Sequence, residues 1–160
     1  MKVVVLAVGK LKDKRIESLS EEYLGRIRPA GTVSVERVPD FSGPSSPADR
    51  MEREGQELLK RLRPRDRLIL LREDGEEYDS PRFASLLSKE MEAAVGRVVF
   101  LIGGPWGVSD AVKRRAGTGA SVGKGLALSR MTFTHEMCFL FLTEQLYRAF
   151  SILAGSGYHH

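Results

Sequence analysis

The sequence is short of the residues that build cross-links and metal sites. Its 160 residues include one cysteine, Cys138, so no disulfide can close within the chain. Cys138 lies in the apolar run Met137 to Leu142, which predicts a reduced, buried thiol. There are three histidines, two of them the last two residues, and with no second cysteine no structural metal site is expected. The first apolar run, Val3 to Val8, is far too short for a signal-peptide core or a membrane span. A soluble cytoplasmic protein is the expectation. Internal repeats and low-complexity segments are lacking too.

What is present is ordinary globular composition, 42% hydrophobic and 29% charged, in a length that suits one domain. A formal charge of +4 permits a nucleic-acid partner without demanding one. The chain alternates strand and helix patterns. Lys2 to Val8 reads as a strand buried on both faces and ended by Gly9. Residues 12–28 read as a helix, with Ile16, Leu19, Tyr23, Leu24 and Ile27 at three- and four-residue steps and Pro29 as the stop. Thr32 to Val38 is a second, alternating strand. Residues 39–48 are a Pro/Ser-rich loop. Asp49 to Leu62 is a charged helix with Met51, Leu58, Leu59 and Leu62 inward. Arg67 to Leu71 is a third strand, and Glu73-Asp74-Gly75 a turn. A helix then opens on Ser80 as N-cap and Pro81 as its first residue, and runs to about Ala94. This order predicts an α/β fold with a mostly parallel sheet flanked by helices, and ligands beyond the carboxyl ends of the strands.

The most distinctive stretch is 99–107, Val-Phe-Leu-Ile-Gly-Gly-Pro-Trp-Gly. A buried strand (residues 97–102) runs into a tight loop whose glycines allow positive φ and close approach to the main chain. Ser109-Asp110 offer an N-cap to a short helix. The spacing is neither a dinucleotide fingerprint nor a P-loop. Between 109 and 130 stand five basic residues (Lys113, Arg114, Arg115, Lys124, Arg130) against one acid, Asp110. They are either a solvated basic face or a phosphate-backbone contact. The last helix starts near His135 with Thr134 as N-cap. Its first half is apolar all the way round, which suits a self-association surface.

Four segments in order resemble the RlmH family of SPOUT-class methyltransferases: Val4-Leu6-Ala7-Val8-Gly9-Lys10, Ile102-Gly103-Gly104-Pro105-Trp106-Gly107, the run Leu128 to His135, and Glu144 to Phe150 with a terminal Tyr-His. The resemblance spans essentially the whole chain. It implies a SPOUT fold with a C-terminal trefoil knot, which no periodicity argument could reach. It also implies S-adenosyl-L-methionine as cofactor, a homodimer, and methylation of N3 of a pseudouridine in large-subunit ribosomal RNA on the assembled ribosome. Residue by residue, the cofactor site would be Leu71, Gly103, Leu128, Ser129, Arg130, Met131, Thr132 and Phe133. Glycine would permit close approach of the methionine moiety, and Leu71 and Leu128 would form an apolar slot for adenine. The catalytic set would be Arg148, Tyr158 and His159. Arg148 either stabilises and orients the base or a phosphate, or pairs with Glu144 one turn earlier. Tyr158 could stack on the target base, and histidine's ordinary pKa of about 6.5 suits a general base at 159. Thr134 and Phe139 stand where the family usually has proline and often arginine.

Overall fold

The computed structural model describes residues 2–119 and 121–157. In chain order the elements are β1 (Lys2–Val8), α1 (Lys14–Ile27), β2 (Thr32–Val38), α2 (Pro47–Arg61), β3 (Arg67–Glu77), α3 (Ser80–Ala93), β4 (Val98–Ile102), α4 (Asp110–Ala116), β5 (Leu126–Ala127) and α5 (His135–Leu153). The strands form an all-parallel sheet in the order β2-β1-β4-β3-β5. All their carboxyl ends therefore meet at one edge, where the loops after Val8, Val38 and Ile102 emerge and β3 runs on past Leu71.

Continuous apolar strands follow from covering the sheet on both faces. Val3, Val5, Ala7, Ile69, Phe100 and Ile102 point to one side and pack with α1, α3 and α5 through residues such as Ile27, Leu87, Leu142 and Leu146. Val4, Leu6, Val8, Leu68, Leu70 and Leu101 point to the other, against Leu58 of α2 and Val112 of α4. Each fully buried Leu or Phe side chain contributes about 2 kcal/mol. β2, at the sheet edge, is half-buried along most of its length and does not alternate. Side-chain oxygens close the helix starts: Ser46 for α2, Ser109 for α4 and Thr134 for α5.

Several expectations need correction. Glu73-Asp74-Gly75 is not a free turn, because β3 continues to Glu77, where Glu76 and Glu77 pair with β5 across an irregularity in register. The N-cap of α3 is Asp79, whose carboxylate accepts from Arg82 N–H, while Ser80 is already helical. α2 starts two residues early, at Pro47, since Ser46 rather than the loop's end supplies its cap. Cys138 is only half-buried, packed at the margin of the core between the sheet and α5.

The amino ends of β3 and β4 hold a buried ionic cluster invisible to hydrophobic patterning. The Arg97 guanidinium donates to Asp66 (2.6 Å), Glu36 (2.8 Å) and the Arg61 carbonyl (2.8 Å). Nearby, Arg67 donates to the fully buried Glu90 at 2.5 Å, which also accepts from Ser121 N–H at 2.8 Å. Burial opposes the charge on Asp66 and Glu90, but Arg97 and Arg67 outweigh it and hold both carboxyls below their usual range. Their stabilisation is present above the unfolded carboxyl pKa of about 4 and is lost as pH falls through the lower folded values. Arg97→Ala, which strands a buried carboxylate, should cost about 3 kcal/mol at pH 7 in urea unfolding. The cost should shrink in acid as Asp66 protonates.

Candidate functional site

Three segments converge at the carboxyl edge of the sheet: 71–77, 103–109 and 125–134. The tightest backbone-to-backbone approach is at Gly125. Its φ is +83°, and a Cβ built there would stand 2.4 Å from the Leu70 carbonyl oxygen. On the other side, Glu76 N–H donates to the Gly125 carbonyl at 2.8 Å, and a Cβ on Gly75 would stand 2.7 Å from that same oxygen. Leu126 pairs with both Leu71 and Glu76. The backbone of 70–77 thus arches around residues 125–127, close enough on both sides that side chains are excluded.

Beside it, residues 104–107 form a turn closed by Gly107 N–H on the Gly104 carbonyl at 3.0 Å. Of its glycines only Gly107 takes positive φ, at +87°. Gly103 is small for an internal reason, since a Cβ there would stand 2.7 Å from Val108 Cγ1. Trp106 projects outward, 53% exposed. Glu54 of α2 lies behind Gly104. It is 4% exposed, its Oε2 has no hydrogen-bond partner among the described residues, and a Cβ on Gly104 would be 2.7 Å from that oxygen. Burial pushes its carboxyl above the ordinary range and the Asp40 carboxylate adds to this, against the Phe41 N–H and Arg50.

The run 128–133 divides. Leu128 and Phe133 line a cavity of about 480 Å³ between the start of α3, β5 and α5, with Tyr78, Phe83, Phe141 and Gln145. Phe133 meets Phe141 edge-on at 5.1 Å. Ser129 Oγ accepts from Met131 N–H at 3.0 Å and shapes the bend. Arg130 reaches out to Glu77 at 2.7 Å, Met131 is 72% exposed, and Thr132 is exposed. Leu71 is half-buried against the core and Gly103 half-buried in its loop; neither lines this cavity. Arg148 is held by Glu144 through two bonds, Nη2 at 2.7 Å and Nε at 3.1 Å. A polar chain continues from Glu144 to Gln145 and on to the Ser80 hydroxyl, which donates at 2.8 Å. Tyr158 and His159 lie outside the described residues.

Residues 1–159 match the family model described as "Predicted SPOUT methyltransferase". The chain is 43% identical over 162 positions to the "Ribosomal RNA large subunit methyltransferase H" of Porphyromonas gingivalis, covering 100% of this chain and 99% of that protein. Proteins of the same name from Geotalea daltonii and Flavobacterium psychrophilum are 41% and 37% identical, covering 100% of this chain and 100% and 99% of theirs. The chain belongs to the SPOUT methyltransferase family.

Around the SPOUT site, sequence reasoning missed three residues. Tyr78 lines the cavity, and burial together with its bond to Glu76 (2.7 Å) pushes its phenol up to about 12. It stays a neutral donor at physiological pH. Glu54 sits on the inward stripe of α2 between Met51 and Leu58, where a lone carboxylate among apolar positions was itself the available signal. Gly125 carried none, because its neighbours are distant in sequence. Of the basic set, Arg115 is spent on the structure, donating to the Arg63 and Asp66 carbonyls, while Lys113 faces Asp110 at 3.7 Å. Among the described residues no group of His, Cys, Asp and Glu could hold a metal ion, and no helix is long and apolar enough to cross a membrane. In this SPOUT chain, Gly125→Ala should lower stability by about 3 kcal/mol or abolish folding, seen as loss of the cooperative urea transition.

Proposed function

We propose that this chain is an S-adenosyl-L-methionine-dependent methyltransferase acting on N3 of a pseudouridine in large-subunit ribosomal RNA, with the assembled ribosome as its substrate. The observation that carries this reading is the full-length likeness to proteins named for large-subunit ribosomal RNA methylation, joined to a carboxyl-edge site built from backbone. In this reading the chain is one domain, works in the cytoplasm as a homodimer, and carries the trefoil knot of its family; the arch of 70–77 around 125–127 supports that topology.

The residues present fit the cofactor. A glycine-rich loop at 103–107, apolar Leu71 paired with β5 and Leu128 just after that strand, and a buried carboxylate oxygen on Glu54 with no partner among the described residues suit a ligand that is part apolar and part cationic. Leu71, Gly103 and the run Leu128, Ser129, Arg130, Met131, Thr132 and Phe133 would hold it, largely through backbone N–H and C=O groups. When bound, the cofactor supplies a methyl group activated on a sulfonium. The chain's own tasks are to place the acceptor nitrogen in line, take its proton and keep water out. The leaving sulfur is neutral, so no general acid is required. Arg148, oriented by Glu144, steadies negative charge on the base or a phosphate. His159 takes the N3 proton, and Tyr158 stacks on the base.

The homodimer is supported by α5. Met137, Leu140, Phe141, Glu144 and Arg148 fall on one stripe that the protein's own core leaves half-exposed. Leu140→Asp should convert the dimer to a monomer at micromolar concentration in sedimentation. It should also depress methylation, because the stripe carries Arg148.

The deciding experiment gives labelled cofactor and purified protein to unmodified ribosomes, separated subunits and naked rRNA, with the product nucleotide identified by mass spectrometry. Label in N3-methylpseudouridine, strongest on intact ribosomes, is expected. Label in another nucleotide would move the target within the family, and ribosome binding without transfer would make the chain a non-catalytic module. His159→Ala should lower turnover at least 10²-fold while cofactor affinity stays within about twofold.

A further inference from the structure

We propose that Glu54 is a charge-recognising residue: from behind Gly104 it favours the cationic sulfonium cofactor over the neutral thioether product left after transfer. The inference rests on the cofactor reading above and adds a residue outside the expected set.

Glu54 is a poor structural residue by every physical measure. It stands on the inward stripe of α2, is 4% exposed, and has an oxygen without a partner among the described residues. Such an arrangement is costly unless something compensates the charge. Among the described residues the compensation is incomplete. The Phe41 N–H donates to the carboxylate, but two charged groups face it with opposite effect: Asp40, from the loop after β2, and Arg50, one turn earlier on α2. Arg50 is the natural i, i+4 partner, yet it donates to the Gly43 carbonyl and its Nε is also unpartnered. Loop 103–107 brings only a glycine to this side, and α4 brings Ser109, against which α2 packs through Gly55.

The position explains what the charge is for. Gly104 is the thinnest possible wall, since any side chain there would collide with Glu54 Oε2. A cation held on the far side of that wall would feel a carboxylate across one peptide thickness, in surroundings that screen little. Asp40 lies against Gly9 at the end of the adjacent strand, 3.3 Å from where its Cβ would be, and adds to the same negative field. Methyl transfer leaves the bonding electron pair on sulfur and removes the positive charge. The attraction therefore acts on the incoming cofactor and vanishes for the product, which helps it leave.

Titration calorimetry of S-adenosylmethionine and S-adenosylhomocysteine tests this directly. Glu54→Gln should weaken S-adenosylmethionine about tenfold, ~1.4 kcal/mol, and change S-adenosylhomocysteine less than twofold. The wild-type protein supplies a second readout. Across a pH series rising from the ordinary carboxylate range, S-adenosylmethionine should release protons as Glu54 ionises, seen as dependence of the enthalpy on buffer ionisation, while S-adenosylhomocysteine should release none. Without ligand, Glu54→Gln should melt no lower than wild type at pH 8, whereas a stabilising role would make it melt lower. Equal losses for both ligands, or proton release with neither, would overturn the inference while leaving the cofactor reading intact. Failure of wild type to bind either ligand would overturn the cofactor reading, and this inference with it.

Discussion

The passage of Gly125 inside the 70–77 arch is the constraint on which the site depends. Two main chains approach there until the Leu70 carbonyl lies 2.4 Å from where a Cβ would be, and Glu76 N–H closes the other side. β5 is only two residues long and could not hold a sheet edge by its own hydrogen bonds. Gripped from both sides, it becomes a fixed origin for the segment 128–134 and for α5 beyond. Everything distal, from the Ser129 bend to the Thr134 cap, is positioned relative to that grip.

The two ends of the sheet are built to opposite specifications. At the amino end, Arg97 and Arg67 satisfy buried carboxylates almost completely, and the ionic cluster ties β2, β3 and β4 together. At the carboxyl end, Glu54 Oε2 is left without a partner among the described residues, glycines line the close approaches, and Trp106 and Met131 stand in solvent. A protein tolerates unsatisfied polar atoms and exposed apolar groups where it meets something else. The asymmetry separates the stabilising edge from the working one.

α5 joins the two themes. Its buried stripe, through Leu142 and Leu146, closes the core over α1 and α3, while the adjacent stripe presents Met137 and Phe141 beside the Glu144–Arg148 pair. For Arg148 the structural pairing and the role proposed above are compatible. The ion pair with Glu144 sets the guanidinium's direction, and direction is what an orienting cation requires.

Much of this was legible along the chain. β2 and the start of α5 fall where the residue pattern places them, because helix caps and β-branched runs act over a few neighbours. The all-parallel sheet follows from strands that are apolar on both faces. The segments that would hold the cofactor were read from resemblance, and Leu128 and Phe133 do meet around one cavity. Tertiary structure alone decided the rest: the extension of β3 through Glu73-Asp74-Gly75, the need for glycine at 125, the ionic cluster at Arg97 and the isolation of Glu54. Each of these depends on what stands opposite a residue from a distant part of the chain, and local spacing carries no record of that.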